Sequence, residues 1–329
     1  MRKKHYLSII IPVYNEEKNI LLLHERLQQV LEKQAFSSEI IFVDDGSSDG
    51  TFDQLQALVN NDPKVRVLQL RRNFGQTAAM AAGIEASSGE VLIFMDGDLQ
   101  NDPLDIPRLL AKLDEGYDVV CGWRKNRQDA SVSRKLPSWL ANRLIARVTS
   151  VYVHDYGCTL KAFKSDIFQH MRIYGEMHRF LPAYAALLGA SIAEIEVTHH
   201  ARQFGVSKYG ISRTVRVVLD LLTVKYFSKY ATRPMHAFGL PGLLLVFLSF
   251  ITMGTSIVQT LGATRKKNIH GSALAMIVLL LGFGLQCLMM GLSAEMLMRI
   301  YYETQDKPVY TVKTTLPFPP SKAGKTEAA

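Results

Sequence analysis

Short apolar runs alternate with amphipathic segments from residue 7 to residue 122, and three of the runs stop at acidic turns. This alternation constrains the fold more than any other feature. Leu7–Val13, Glu39–Val43, Val65–Leu70, Glu90–Met95 and Asp118–Cys121 read as strands. Glu16–Gln34, a segment opening at Asp49 or Thr51, Gln76–Ala86 and Pro103–Glu115 read as the helices between them. In the first helix Ile20, Leu23, Leu27, Val30 and Leu31 fall on one face, with Asn15 at the capping position. The last carries proline in its first turn, where the missing N–H costs nothing. Strands and helices in this order predict an α/β fold, a mainly parallel sheet covered by helices on both faces. Such sheets bind their ligands beyond the carboxyl ends of the strands.

Those ends are where the acidic turns lie. Asp96-Gly97-Asp98 closes the run Val91–Met95. Two carboxylates one residue apart at the end of a buried strand suit a hard divalent cation, since Mg²⁺ is typically held by one or two carboxylates plus substrate phosphates. Pro12, Tyr14, Asn15 and Glu16 end the first strand. Val43-Asp-Asp-Gly-Ser-Ser-Asp-Gly-Thr51 ends the second. Its carboxylates can accept hydrogen bonds from a base imide N–H or from ribose hydroxyls, and its glycines permit tight turns. Together the turns would line one crevice, with a nucleotide across it and a metal at Asp96 and Asp98.

The remainder of the chain is different. The protein has 329 residues, a formal net charge of +8 and 48% hydrophobic residues. Its mean hydropathy of +0.06 is raised by two stretches free of Asp, Glu, Lys and Arg, His236–Thr264 and His270–Ala294. Both exceed the roughly 20 residues that cross a bilayer core. They predict two transmembrane helices and hence a multi-pass protein of the cell (inner) membrane. Ile211–Tyr230, apolar on one side and basic on the other, reads as a helix in the membrane interface leading into the first span. Arg134–Val151 has a similar pattern, equally consistent with the interface and with packing on the domain. Lys225, Lys229, Arg233, Arg299 and Lys307 flank the spans and put the catalytic part in the cytosol, although Arg265-Lys266-Lys267 on the opposite side oppose that bias. The basic balance thus points to a membrane, not to nucleic acid. Leu7–Val13 is too short and too soon followed by acidic residues to be a signal peptide. Cys121, Cys158 and Cys287 have no metal-ligand spacing and read as free thiols in a reducing compartment. The expected organisation is a catalytic domain over 1–210, a juxtamembrane helix over 211–233, a two-helix membrane region over 234–300 and a tail over 301–329. Within the tail, Val309–Val312 is expected as a short strand on a sheet edge.

Pro12-Val-Tyr-Asn-Glu, Val43-Asp-Asp-Gly-Ser-Ser-Asp-Gly-Thr, Asn73-Phe-Gly and Met95-Asp-Gly-Asp-Leu-Gln100 resemble glycosyltransferase family 2, whose fold is GT-A. Arg202-Gln-Phe-Gly-Val-Ser-Lys-Tyr209 and the two spans resemble its polyisoprenyl-phosphate branch, which includes dolichol-phosphate mannose synthases and bactoprenol glucosyltransferases. The resemblance runs from about residue 7 to about residue 312. It implies that Pro12, Tyr14, Glu16, Asp44 and Asp45 hold the nucleoside. It implies that Asp96 and Asp98 position Mg²⁺ or Mn²⁺ on the donor diphosphate, with Gln100 in support. Arg202, Ser207 and Lys208 would engage phosphate of the donor, the acceptor lipid, or both. Asp155 would orient acceptor or metal, or be a vestigial base; Arg124 and Arg127 would contact phosphate or belong to a solvated loop.

The reaction so implied is inverting transfer of a sugar, UDP-glucose being the favoured donor, to a polyisoprenyl (undecaprenyl) phosphate. GDP-mannose and UDP-aminoarabinose stand behind it as donors. A processive polysaccharide synthase fits less well, because the chain has two expected spans and no Gln-x-x-Arg-Trp motif. A non-catalytic membrane scaffold is the third reading. Family likeness also implies a homo-oligomer, with a tetramer as one form, and Gly282, Gly284 and Gly291 would permit close packing of the second span.

Overall fold

The computed structural model describes residues 5–125, 146, 151–169, 171–175, 177–201, 203, 310 and 312–316, with single helical positions from 279 to 300. The chain divides into two compact units, one of Met1–Val217 with Pro308–Ala329, the other of Val218–Lys307. In the second unit the described residues Leu279, Gly282, Gln286, Met289, Ser293, Met296, Leu297 and Ile300 are helical. Among the described residues no helix is long and apolar enough to cross a membrane. Apart from those helical positions, the predicted spans 236–264 and 270–294 lie outside the described residues, as does the amphipathic segment 211–230 and nearly all of 134–151.

The first unit is a mostly parallel sheet sandwiched by helices. Its elements are β1 (His5–Val13), α1 (Glu17–Leu31), β2 (Ser38–Asp44), α2 (Thr51–Asn61), β3 (Val65–Leu70), α3 (Gln76–Ala86) and β4 (Gly89–Phe94). After these come α4 (Ile106–Asp114), β5 (Val119–Trp123), β6 (Lys161–Lys164), α5 (Leu181–Leu187), β7 (Ile192–Glu196) and β8 (Val312–Leu316). Among the described residues the strand order is β7-β5-β6-β4-β1-β2-β3-β8. β1 pairs in parallel with β2 and β4, as do β2 with β3 and β5 with β7.

The central strands are apolar on both faces because both are covered. Leu7, Ile9, Ile11 and Val13 join one cluster with Ile20, Leu23 and Leu27 of α1, Leu55 and Leu58 of α2, and Leu109 and Leu113 of α4. Ile41, Val43, Leu68 and Leu70 pack with Ala79, Ala82 and Ala86 of α3. The alanines let α3 lie close to the sheet, and at Gly83 a Cβ would fall 2.4 Å from Ile10 Cγ2. Each fully buried isoleucine contributes about 1.5–3 kcal/mol. At the amino-terminal edge the buried Glu39 accepts hydrogen bonds from Ser8 Oγ at 2.6 Å, Ser88 N at 2.7 Å, Ser88 Oγ at 2.8 Å and Arg66 at 2.9 Å. Burial alone would raise its pKa, but these donors hold it below the usual value. One carboxylate so ties β1, β2, β3 and the approach to β4.

Two features were not expected from sequence. β6 inserts antiparallel between β4 and β5, and α5 follows it. The tail strand is found, but at Val312–Leu316 instead of Val309–Val312, antiparallel to β3. The shift has a packing cause: Tyr310 and Val312 side chains cover the Ile41–Leu70 cluster, and Tyr310 Oη donates to Glu85.

The β5–β7 edge is pinned by Asp118, which accepts from Lys164 Nζ at 2.9 Å, Ser191 N at 2.9 Å and Ser191 Oγ at 2.8 Å. The Lys164 hydrogen bond first, and then Ser191, lower its pKa from 3.8 to about 2. A depressed pKa contributes stability above the unfolded value and loses it as pH falls through the folded one. The stability lost in Asp118→Asn at neutral pH is therefore expected to shrink as pH drops from 3.8 toward about 2. Because the pair is partly exposed, the difference is small. Thermal unfolding of both proteins across that range checks this; a difference independent of pH would contradict it.

Candidate active site

The carboxyl ends of β1, β2 and β4 lie side by side, and the turns after β1 and β2 are cross-linked. Asp45 N donates to Val13 O at 2.8 Å. Asn15 N donates to Ser47 Oγ at 2.8 Å, Ser48 N to Asn15 Oδ1 at 2.8 Å, and Glu16 N to Thr51 Oγ1 at 2.9 Å. Two non-glycine residues here have left-handed backbone, Asn15 at φ 52° and Leu99 at φ 63°. Such strain is tolerated where surrounding structure over-determines it. Leu99 is held by burial in the main core, at 1% exposure, and this draws the Asp96–Gln100 turn down onto the sheet. Gly97 is required by contact: a Cβ there would lie 2.7 Å from Val13 Cγ1.

Asp96 is partly exposed at the rim, and its carboxylate is gripped from two sides. Gln76 Nε2, at the start of α3, donates to Oδ1 at 3.0 Å. Thr159 Oγ1, just before β6, donates to Oδ2 at 2.8 Å. Asp98 is buried, and its Oδ1 accepts Gln100 N at 3.2 Å. Both groups are hard oxygen donors, which fits a divalent cation. Among the described residues no group of three or more His, Cys, Asp or Glu could hold a metal. Mg²⁺ is typically bound by one or two such carboxylates together with substrate phosphates and water.

Of the residues expected to hold a nucleoside, Pro12, Tyr14 and Glu16 stand half-buried on the rim, and Glu16 accepts Asn19 Nδ2 at 2.5 Å. Asp44 and Asp45 are turned inward. Asp44, with no exposed surface, accepts Ser47 N at 2.9 Å and Gln69 Nε2 at 3.2 Å. Asp45 accepts Phe74 N at 2.8 Å and Gly75 N at 2.9 Å. Burial pushes the Asp45 pKa up despite these two N–H donors. In this conformation both aspartates act on the crevice through the loops they hold.

Asp155 is likewise committed. It is buried, and receives Arg124 Nε at 2.7 Å and Arg124 Nη2 at 3.0 Å, a bidentate pair, as well as Gly157 N at 3.1 Å. Burial opposes the Arg124 charge, but the Asp155 hydrogen bonds and charge prevail and raise its pKa. Glu194 of β7 accepts the N–H groups of His154, at 2.9 Å, and Asp155, at 3.2 Å. Buried Lys161 donates to the carbonyls of Tyr156, at 3.3 Å, and Cys158. The 154–161 segment is thus a braced loop that carries Thr159 to Asp96. Sequence reading missed Gln76, Thr159, Glu194 and Lys161; the Asn73-Phe-Gly motif and the segment around Asp155 were the available signals. Arg127, Arg202, Ser207 and Lys208 lie outside the described residues. The segment before Arg202 is described: His200 N donates to Gln100 O at 2.9 Å, and the His200 ring lies 2.9 Å from Asp102. His199 is buried.

Comparison with known proteins identifies the family and the fold. The model of the family described as Glycosyl transferase family 2 matches residues 8–172. Dodecaprenyl-phosphate galacturonate synthase of Rhizobium johnstonii is 44% identical over 321 residues, covering 93% of this chain and 92% of that protein. Undecaprenyl-phosphate 4-deoxy-4-formamido-L-arabinose transferase of Salmonella choleraesuis is 36% identical over 310 residues, covering 94% and 93%. Glucosyl-3-phosphoglycerate synthase of Mycobacterium tuberculosis, solved with Mn²⁺ and UDP-glucose, superposes with a TM-score of 0.53 at 20% identity, over 67% of this chain and 79% of that one. This chain belongs to glycosyl transferase family 2. Its unit of β1–β8 has the GT-A fold, and the resemblance to polyprenyl-phosphate glycosyltransferases is borne out.

The Arg124–Asp155 pair makes a testable distinction. Asp155→Asn leaves a buried guanidinium facing a neutral amide, and losing one partner of such a pair costs about 3–5 kcal/mol. Urea unfolding is expected to show a loss approaching that scale, alongside reduced turnover. Reduced turnover with unchanged stability would instead mark Asp155 as a proton acceptor.

Proposed function

We propose that this protein transfers a sugar from a nucleotide donor to a polyprenyl phosphate at a membrane surface, with inversion at the anomeric carbon. The observation that carries this is the convergence of the Pro12–Glu16, Asp44–Thr51 and Asp96–Gln100 turns on one rim. The acceptor class comes from the two relatives, both of which act on polyprenyl phosphates by name. A Mg²⁺ or Mn²⁺ ion held by Asp96 and Asp98 would supply Lewis-acid stabilisation of the departing nucleoside diphosphate. Pro12, Tyr14 and Glu16 would flank the nucleoside, with Asp44 and Asp45 fixing the loops behind it and Gln100 fixing Asp98. Arg124, held by Asp155 at the end of β5, would contact acceptor or donor phosphate, and Arg202, Ser207 and Lys208 would add further phosphate contacts.

A lipid phosphate monoester has its second pKa near about 6, so at neutral pH it is already a dianionic nucleophile. It needs aiming and relief from charge repulsion more than proton removal. An acidic group locked to an arginine, as Asp155 is, suits that demand. The sugar first expected was glucose; the 44% identical relative makes galacturonate the donor sugar to test first, ahead of formamidoarabinose, glucose and mannose. Membrane attachment rests on the uncharged stretches at 236–264 and 270–294. The pairing of β8 with β3 of the domain that precedes them supports an even number of crossings, and the positive flanks favour a cytoplasmic face. A homo-oligomer, including a tetramer, accords with the family.

The test is transfer of radiolabelled sugar to undecaprenyl phosphate by the full chain in detergent with Mn²⁺. The donors are UDP-galacturonate, the UDP-linked formamidoarabinose, UDP-glucose and GDP-mannose. Label should enter the lipid phase from one donor and fall about a hundredfold or more in Asp98→Ala, the scale of removing one stabiliser of developing charge. No lipid label from any donor would contradict the proposal.

A further inference from the structure

The grip on Asp96 comes from two elements far apart in sequence. Gln76 opens α3, and the loop before it is fixed by the Asp45 carboxylate through Phe74 N and Gly75 N. Thr159 belongs to the loop braced by Arg124–Asp155, Glu194–His154 and Lys161. Each supplies one neutral donor to a different oxygen of the same carboxylate, at 3.0 Å and 2.8 Å. Neutral donors orient a carboxylate without cancelling its charge, and each oxygen keeps a lone pair for another ligand. Asp98 accepts Gln100 N of its own turn.

We propose that Gln76 and Thr159 are positioning residues that set the carboxylate plane of Asp96 for a divalent cation carrying a nucleoside diphosphate. The inference rests on the cation reading of Asp96 and Asp98 given above. It gives two buried networks a further purpose at the cation. Asp45 serves the Gln76 arm, and the 154–161 loop serves the Thr159 arm. Hydrogen-bond partners behind metal ligands fix ligand orientation, and their loss typically lowers metal affinity by roughly 10–100-fold.

The test is Mn²⁺ binding to the full chain in detergent, followed by water-proton relaxation, with UDP present and absent. Thr159→Val removes the hydroxyl at nearly constant volume, Thr159→Ser keeps it, and Gln76→Leu removes the amide. Thr159→Val and Gln76→Leu are expected to weaken Mn²⁺ binding in the UDP complex by about tenfold or more, while Thr159→Ser binds as the wild type does. Equal losses in Thr159→Ser and Thr159→Val would overturn the role of the hydroxyl, and wild-type affinity in Thr159→Val and Gln76→Leu would overturn the proposal alone. A wild type whose Mn²⁺ binding is indifferent to UDP would overturn the cation reading and this inference with it.

Discussion

Everything at the rim depends on the burial of β1, β2 and β4 on both faces. Ile9, Ile10, Ile11, Phe42 and Ile93 have essentially no exposed surface, so these strands have no side on which to carry chemistry. Polar function is forced to the strand ends. At the amino-terminal end a single carboxylate, Glu39, is saturated by donors from its neighbours, which makes it structural. At the carboxyl-terminal end several carboxylates stand in adjacent turns, Asp44, Asp45, Asp96 and Asp98 among them. The polarity of the parallel sheet separates stability from reactivity.

That separation also explains what the sequence revealed. Strands and helices through residue 122 were legible because period and burial agree: alternating apolar runs become strands covered on both sides. β6 was not, because Lys161–Lys164 is only four residues long and exists through pairing with β4 and β5, distant in sequence. The positions of Asp96 and Asp98 were legible as a motif. The orientation of Asp96 was not, since Gln76 and Thr159 lie 20 and 63 residues from it, and no local pattern marks a partner at that range. Asp44 and Asp45 show the same limit. The sequence placed them at the right strand end but not the way they face, which is set by Gln69 and by the Phe74–Gly75 backbone.

The acceptor side follows a similar logic. Asp155 looks like a base when only its residue type and neighbourhood are considered. Its bidentate partner Arg124 was not legible, because the two residues lie 31 positions apart. The return of β8 to β3 is a hydrogen-bonded constraint on topology that the sequence suggested only through the pair of uncharged stretches. It binds the segment after the uncharged stretches to the same sheet that bears the site.

The central claim is that donor and cation meet where the β1, β2 and β4 turns converge. A structure of the full chain with UDP and Mn²⁺, with the ion located by its anomalous scattering, tests it most directly. The account predicts Mn²⁺ between the Asp96–Asp98 turn and the diphosphate, with the nucleoside against Pro12, Tyr14 and Glu16. Nucleotide or ion bound elsewhere, with those turns empty, would contradict it.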